Sequence, residues 1–302
     1  MRTIMITGAT RGLGLAIVRE LDHVADIQLV LAVRDVRAGE AVAGALRRLA
    51  RVVALDAGSF ASIHRLTASW TTPLYGLVNN AGLQLTGPTS FTEEGIETTL
   101  AVNHLGPLQL TLDLLSLLKG GRVLGIGSGT HNPEHRMAKL AGFRGGRFTS
   151  IEALARGDVD ASTDWQRGMD RYATSKLLSM VTAMELGRRH PNVAFATLDP
   201  GMMPGTGLMR TSPWYMRAAW NSVMRWLVPV LDDASTPERS AESAARLLLD
   251  LPITSGEVYD FRGEPSRRVW PKAREPELAR RVVDESLQFL ASRTRVLRNK
   301  AE

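Results

Sequence analysis

The chain has 302 residues, 37 Lys and Arg against 31 Asp and Glu for a net charge of +6, and no cysteine. The lack of cysteine excludes disulfides, thiolate metal sites and a cysteine nucleophile, and a hydrophobic share of 44% suits a globular protein long enough to bury a core. The positive surplus is largely arginine, with pairs at Arg47 and Arg48, Arg188 and Arg189, and Arg280 and Arg281. No aromatic-interleaved basic face accompanies it, so it reads as a solvated surface that attracts small anions, with no nucleic acid as partner.

Thr3 to Thr7 predicts a first strand that is too short for the apolar core of a signal peptide. No apolar run is long enough to cross a bilayer, which points to a cytoplasmic protein without stable membrane insertion. Leu13, Ile17 and Leu21 follow Gly14 at helical spacing. Ile27 to Val33 is a continuous apolar strand, as in a sheet covered on both faces. Val52 to Leu55 and Leu74 to Val78 read as strands three and four. Ser90-Phe91-Thr92-Glu93 has capping-box spacing and predicts a helical region reaching Leu118, ended by Gly120-Gly121. Arg122 to Ile126 is strand five, Tyr172 to Arg189 a helix followed by Pro191, Val193 to Leu198 strand six, and Glu257 to Phe261 strand seven.

This alternation predicts an α/β fold: a Rossmann-type doubly wound parallel sheet of about seven strands, with helices on both faces. No repeat, low-complexity tract or linker divides the chain, so residues 1–302 are expected to form a single dinucleotide-binding domain. Two segments break the rhythm. Residues 129–171 are polar and rich in Gly, Arg and Asp, and residues 201–236 are rich in Met, Trp and Pro.

Thr7-Gly8-Ala9-Thr10-Arg11-Gly12-Leu13-Gly14 stands between the first strand and the first helix. Glycines there permit a tight turn and close approach of a phosphate to backbone amides, and the helix N-terminus favours its charge. Strand before and helix after make a dinucleotide site the better reading than a packing device. The second strand ends at Val33 and is followed by Arg34 and Asp35. A carboxylate at the strand end would bind the adenosine ribose of NAD, whereas a guanidinium can grip a ribose 2′-phosphate. Arg34, with Arg11 in reach, therefore favours NADP(H) over NAD(H); the competing reading pairs Arg34 with Asp35 on the surface.

Tyr172 and Lys176 lie four residues apart, on one face of the expected helix. A phenol beside a fixed positive charge loses its proton more readily and can serve as a general acid towards a carbonyl oxygen.

Together these motifs resemble the short-chain dehydrogenase/reductase family over most of the chain. Gly8, Gly12 and Gly14 match its glycine motif, and Asp56 the acidic residue after strand three that touches the adenine. Asn79-Asn80-Ala81-Gly82 matches its Asn-Asn-Ala-Gly motif, and Pro200-Gly201 the turn flanking the nicotinamide. Asn103, Ser128, Tyr172 and Lys176 match its catalytic positions. The resemblance implies hydride transfer with Tyr172 as general acid. Lys176 would lower its pKa and hold the nicotinamide ribose, Ser128 would donate to the substrate oxygen, and Asn103 would hold a water that replaces the proton. The cofactor residues it implies are Gly8, Thr10, Arg11, Gly12, Leu13, Gly14, Arg34, Asp56, Asn80, Ala81, Gly82, Tyr172, Lys176, Pro200, Gly201 and Thr206.

The chain departs from the family pattern in places. Gly127-Ser128-Gly129 stands where paired serines are usual, and Thr130 competes for the role of Ser128. Ala57-Gly58 follows Asp56 where a larger apolar residue is common. The long separation of Ser128 from Tyr172 resembles insertions in carbonyl reductases, retinol dehydrogenases and light-dependent protochlorophyllide reductases. In carbonyl-reductase-like members the extra residues obstruct the family's tetramer face, which favours a monomer or homodimer here.

His131-Asn132-Pro133-Glu134-His135 offers two histidines and a carboxylate, but Pro133 disfavours a helix and no third ligand cluster is evident, so no metal is expected and a mobile rim loop is the reading. Trp214, Trp220, Met224 and Trp226 form a bulky apolar set. A substrate lid at 201–236 is favoured over a subunit contact or a membrane-surface helix, and implies a large apolar or aromatic small-molecule substrate. The expected function is an NADPH-dependent carbonyl reductase. A reductase of an activated C=C or C=N bond, and a non-enzymatic NADP(H) sensor or scaffold, are the alternatives.

Overall fold

The computed structural model describes residues 1–203 and 233–299. Among them, seven strands form one parallel sheet: β1 (Arg2–Thr7), β2 (Ile27–Val33), β3 (Arg51–Ala54), β4 (Gly76–Asn79), β5 (Arg122–Ile126), β6 (Ala194–Asp199) and β7 (Glu257–Asp260). Their order is β3-β2-β1-β4-β5-β6-β7. This is the Rossmann-type α/β architecture expected from the sequence, with strand ends shifted by a residue or two. The chain runs outward from β1 to β3, then returns to lay β4 on the other side of β1. That reversal sets the loops after β1 and β4 side by side at the C-terminal ends of the strands, where open α/β sheets bind their ligands.

Successive side chains of a strand point to opposite faces. Ile4 and Ile6 therefore pack with Leu29, Leu31, α1 (Gly12–Leu21) and the helix Pro237–Leu249. Met5, Val30 and Leu77 join the other core, with α3 (Phe60–Ala68) and the helix Pro276–Asn299. α2 (Val36–Gly44) lies between β2 and β3.

The helix expected from Ser90 begins later. Gly95 takes φ +72 and Phe91 pairs with Glu97 in an antiparallel bridge, so residues 90 to 97 form a turn. Glu97 caps α4 (Thr98–Leu100), its carboxylate oxygens accepting from the Thr99 and Leu100 N–H groups. A π turn, Ala101–Leu105, then leads into α5 (Gly106–Leu114). Pro107 accounts for the irregularity, because it has no N–H to offer the Asn103 carbonyl. The Ser179 hydroxyl donates to that carbonyl instead, at 2.8 Å. In the same turn His104 is buried, and burial lowers its pKa to about 3. Its Nε2 lies 2.9 Å from the Ser286 hydroxyl, whose proton is given to Val282, so His104 is the donor and ties the turn to the helix Pro276–Asn299.

Residues 129–171 are more ordered than their composition suggested. They hold a 3₁₀ turn (Gly129–His131), α6 (Arg136–Leu140), α7 (Ile151–Ala155) and the start of α8 (Asp164–Arg189). Thr163 caps α8, which therefore starts well before Tyr172. Ile151, Leu154 and Ala155 enter the core. The expected lid falls mostly on residues 204–232, so Thr206, Trp214, Trp220, Met224 and Trp226 lie outside the described residues. No described helix is long and apolar enough to cross a membrane.

Candidate active site

The glycine turn and the end of β4 lock together. The Thr7 hydroxyl donates to the Val78 carbonyl at 3.2 Å and accepts from the Asn80 and Ala81 N–H groups at 3.0 and 2.9 Å. The Asn80 amide donates to the carbonyls of Thr7 and Gly8. A Cβ on Gly14 would stand 2.4 Å from Asn80 Nδ2 and from the Gly8 carbonyl oxygen, so close packing requires glycine there. Gly12 is different: it takes φ +54 and a Cβ on it would meet nothing within 4 Å. The turn is thus held firmly from behind and open in front, at the N-terminus of α1, which fits a dinucleotide phosphate.

The other described cofactor candidates follow the C-terminal ends of neighbouring strands. Arg34 is exposed just after β2, and Thr7 pairs with Ala32 across β1 and β2. The Asp35 carboxylate caps α2 through the Ala38 N–H at 3.1 Å, and is thereby drawn into the helix start. Asp56 is half-buried after β3, with Oδ1 accepting from the Gly58 N–H. The small residues after it have a packing reason: a Cβ on Gly58 would stand 2.9 Å from Val102, and one on Gly106 would strike the Ala57 carbonyl. After β6, Gly201 takes φ +70, and its N–H donates to Asp199 Oδ1 at 3.1 Å.

Ser128, Tyr172 and Lys176 converge where β5 ends against α8. Tyr172 is 5% exposed, and its hydroxyl has the Ser128 side chain as polar neighbour. Burial pushes the phenol above its usual pKa, and the Ser128 side chain partly opposes this. The Asp199 carboxylate pushes the phenol the same way as burial and no lowering by Lys176 is seen, so the phenol stays protonated at neutral pH. Lys176 Nζ donates to the Ile126 carbonyl at 2.8 Å and lies 5.6 Å from the centre of the Tyr172 ring. Burial lowers its pKa to about 8 against the pull of the Asp199 carboxylate.

Asn103 is buried beside them, with its side chain already committed. Its Oδ1 accepts from the Leu83 N–H, and its Nδ2 donates to the Leu83 carbonyl and the Ser175 hydroxyl. Thr130 supports Ser128 rather than displacing it: both its N–H and its hydroxyl donate to Ser128 Oγ. The histidines are not on a mobile rim. His131 is 3% exposed. The Trp270 N–H donates to its Nε2, which leaves Nδ1–H to donate to the Ser128 carbonyl at 2.6 Å, and burial lowers its pKa. His135 Nδ1 caps α6 through the Ala138 N–H, and its Nε2 faces Asp233 at 3.2 Å. Among the described residues no group of three or more His, Asp or Glu could hold a metal ion.

Sequence reasoning missed three contributors. Asp199 is a buried carboxylate that ends the otherwise apolar run of β6, and its position before Pro200 was a readable signal. Arg171, next to Tyr172, forms a buried pair with Glu97 at 3.4 Å and donates to Thr89 at 2.7 Å. Phe143, from the inserted segment, stacks obliquely on Tyr172. The last two depend on long-range folding and leave no local signature.

A phenol, a hydroxyl and an ammonium gathered near a glycine-rich turn form the kind of site that could move a proton while a bound dinucleotide moves a hydride. Comparison with known proteins agrees with this class. The short chain dehydrogenase family model matches residues 2–138. The mouse (Mus musculus) polyprenol dehydrogenase is 31% identical over 95% of this chain and 83% of its own. The protochlorophyllide reductase of Avena sativa is 30% identical over 95% of this chain and all of its own. A crystal structure of an uncharacterised Mycobacterium paratuberculosis protein superposes with a TM-score of 0.71 at 25% identity, covering 95% of this chain and 92% of that one. A serine dehydrogenase complexed with NADP+ shares the fold, with a TM-score of 0.58 at 20% identity over 85% of this chain and 93% of that one. The chain belongs to the short-chain dehydrogenase/reductase family, a family of nicotinamide-dependent oxidoreductases.

Proposed function

We propose that the protein is an NADPH-dependent reductase of a carbonyl on a fairly large apolar or aromatic substrate. The observation that carries this reading is the contact of the Tyr172 and Ser128 hydroxyls beside Lys176 at the end of β5. The bound nicotinamide supplies the hydride. Tyr172, protonated at neutral pH, gives its proton to the substrate oxygen as charge develops there. Ser128 donates a second hydrogen bond to that oxygen, its own lone pairs being filled by Thr130. Lys176 holds the nicotinamide ribose and offers positive charge to the phenolate left behind. Asn103 clamps Leu83 through its side chain, and its carbonyl, which already accepts from the Ser179 hydroxyl, holds with its second lone pair the water that replaces the proton.

Arg34 and Arg11 grip the ribose 2′-phosphate, which sets the preference for NADPH. The Gly8–Gly14 turn, Asp56 and Asn80 to Gly82 hold the rest of the dinucleotide, and Pro200, Gly201 and Thr206 border the nicotinamide. The names of the relatives, for polyprenol and protochlorophyllide, support an apolar substrate of some size. Loss of NADPH absorbance with a panel of ketones, enones and imines tests the reading. Turnover of ketones is expected. Turnover confined to enones or imines would move the reaction to C=C or C=N reduction, and NADPH binding without any turnover would favour a sensor.

A further inference from the structure

We propose that Phe143 is the aromatic wall of the substrate pocket and selects substrates with a planar aromatic group beside the reducible carbonyl. This rests on the reading that Tyr172 and Ser128 hold the carbonyl oxygen. The Phe143 and Tyr172 ring centres lie 6.1 Å apart with their planes at 45°, inside the range of favourable aromatic pairs. Phe143 is only half-buried, so the residue is not wholly enclosed by the core.

Its position is fixed from both sides. The Phe143 N–H donates to the Ala138 carbonyl at 2.9 Å, and Arg144 pairs with the fully buried Asp170. The Gly146 N–H donates to the His131 carbonyl at 2.8 Å, and the Arg147 N–H to the Thr174 hydroxyl at 2.9 Å. The strand of backbone behind the ring lies so close to α8 that a Cβ on Gly146 would stand 2.6 Å from Leu177. Residues 142–147 thus form a strap across the helix that carries Tyr172. A residue held this firmly, yet not wholly enclosed, is placed for a ligand rather than for the core.

The other neighbour of the Tyr172 ring, the charged Lys176, has its Nζ 3.9 Å from where a Gly82 Cβ would be, on the side of the β4 turn. The dinucleotide approaches from that turn, which leaves the side of the strap to the substrate. A carbonyl oxygen between the Tyr172 and Ser128 hydroxyls then carries its substituent onto Phe143. An aromatic substituent gains the ring-to-ring interaction, worth up to about tenfold in affinity. A saturated ring of equal size fills the same volume without it.

The test uses the full chain loaded with NADP+ and calorimetric titration with 2-acetylnaphthalene and with its saturated counterpart, acetyldecalin. Phe143→Leu keeps apolar bulk and removes the ring. It is expected to weaken acetylnaphthalene about tenfold, to change acetyldecalin by less than about threefold, and to leave NADP+ affinity unchanged. Equal weakening of both ketones, no change in either, or binding of neither by the unaltered protein would overturn the proposal. NADPH consumption with the same ketones is read separately. Phe143-dependent binding without turnover would contradict the reductase reading while supporting this one.

Discussion

The Thr130 hydroxyl donates to the Ser128 hydroxyl across 3.1 Å, and the Thr130 N–H reaches the same oxygen at 3.3 Å. Both lone pairs of Ser128 Oγ are thereby occupied, so its proton is left to be given away. Thr130 is a positioning residue for the donor that faces Tyr172. Thr130→Val should lower kcat about fivefold to tenfold, the worth of one hydrogen bond, and Thr130→Ser should restore it. Ser128→Ala should cost more, about a hundredfold. Steady-state kinetics on the three variants, with NADPH affinity as control, checks the order.

The Lys176 ammonium has a pKa of about 8 because burial opposes its charge, while the Asp199 carboxylate pulls the other way. Activity in the reductive direction should fall as pH rises through about 8, and Asp199→Asn should move that limb to lower pH. The same shift has a sign for stability. Between about 8 and 10.5 the unfolded chain keeps a proton that the folded chain has released, so stability rises with pH across that window. Urea unfolding at the two ends of the window should show the rise in the parent protein and a smaller one in Lys176→Met.

Arg34 stands exposed beyond β2, and Asp35 is turned to the cap of α2. Arg34→Ala should reduce the preference for NADPH over NADH by about tenfold or more, as loss of a charge-assisted contact to phosphate requires. Dissociation constants for both nucleotides measure it. An unaltered preference would remove Arg34 from the phosphate site.

The strands and the glycine turn were legible because their signals are local: apolar runs of strand length, and glycines between a strand and a helix. The start of α4 was not. Ser90 and Glu93 carry the capping-box spacing, but Gly95 at φ +72 breaks the helix, and Glu97 takes the cap while paired with Arg171 across the fold. His131 and His135 looked like a solvent rim because their partners, Trp270 and Asp233, are remote in sequence. The catalytic candidates were legible by type and order, and the Tyr172 environment was not. Spacing suggested a phenol made acidic by Lys176, whereas the packed site makes desolvation the stronger influence. The helix Pro276–Asn299 carries local signals of its own, with Pro276 at its start and the apolar Val282, Val283, Phe289 and Leu290 at helical spacing.

The proposed reductase activity depends most on the Tyr172 phenol as proton donor to a substrate held against the nicotinamide. The direct measurement is kcat of Tyr172→Phe together with its NADPH dissociation constant on the same preparation. Turnover should fall at least about a hundredfold while NADPH binding stays within about twofold of the parent protein. A variant that reduces substrate at the parent rate would contradict the account.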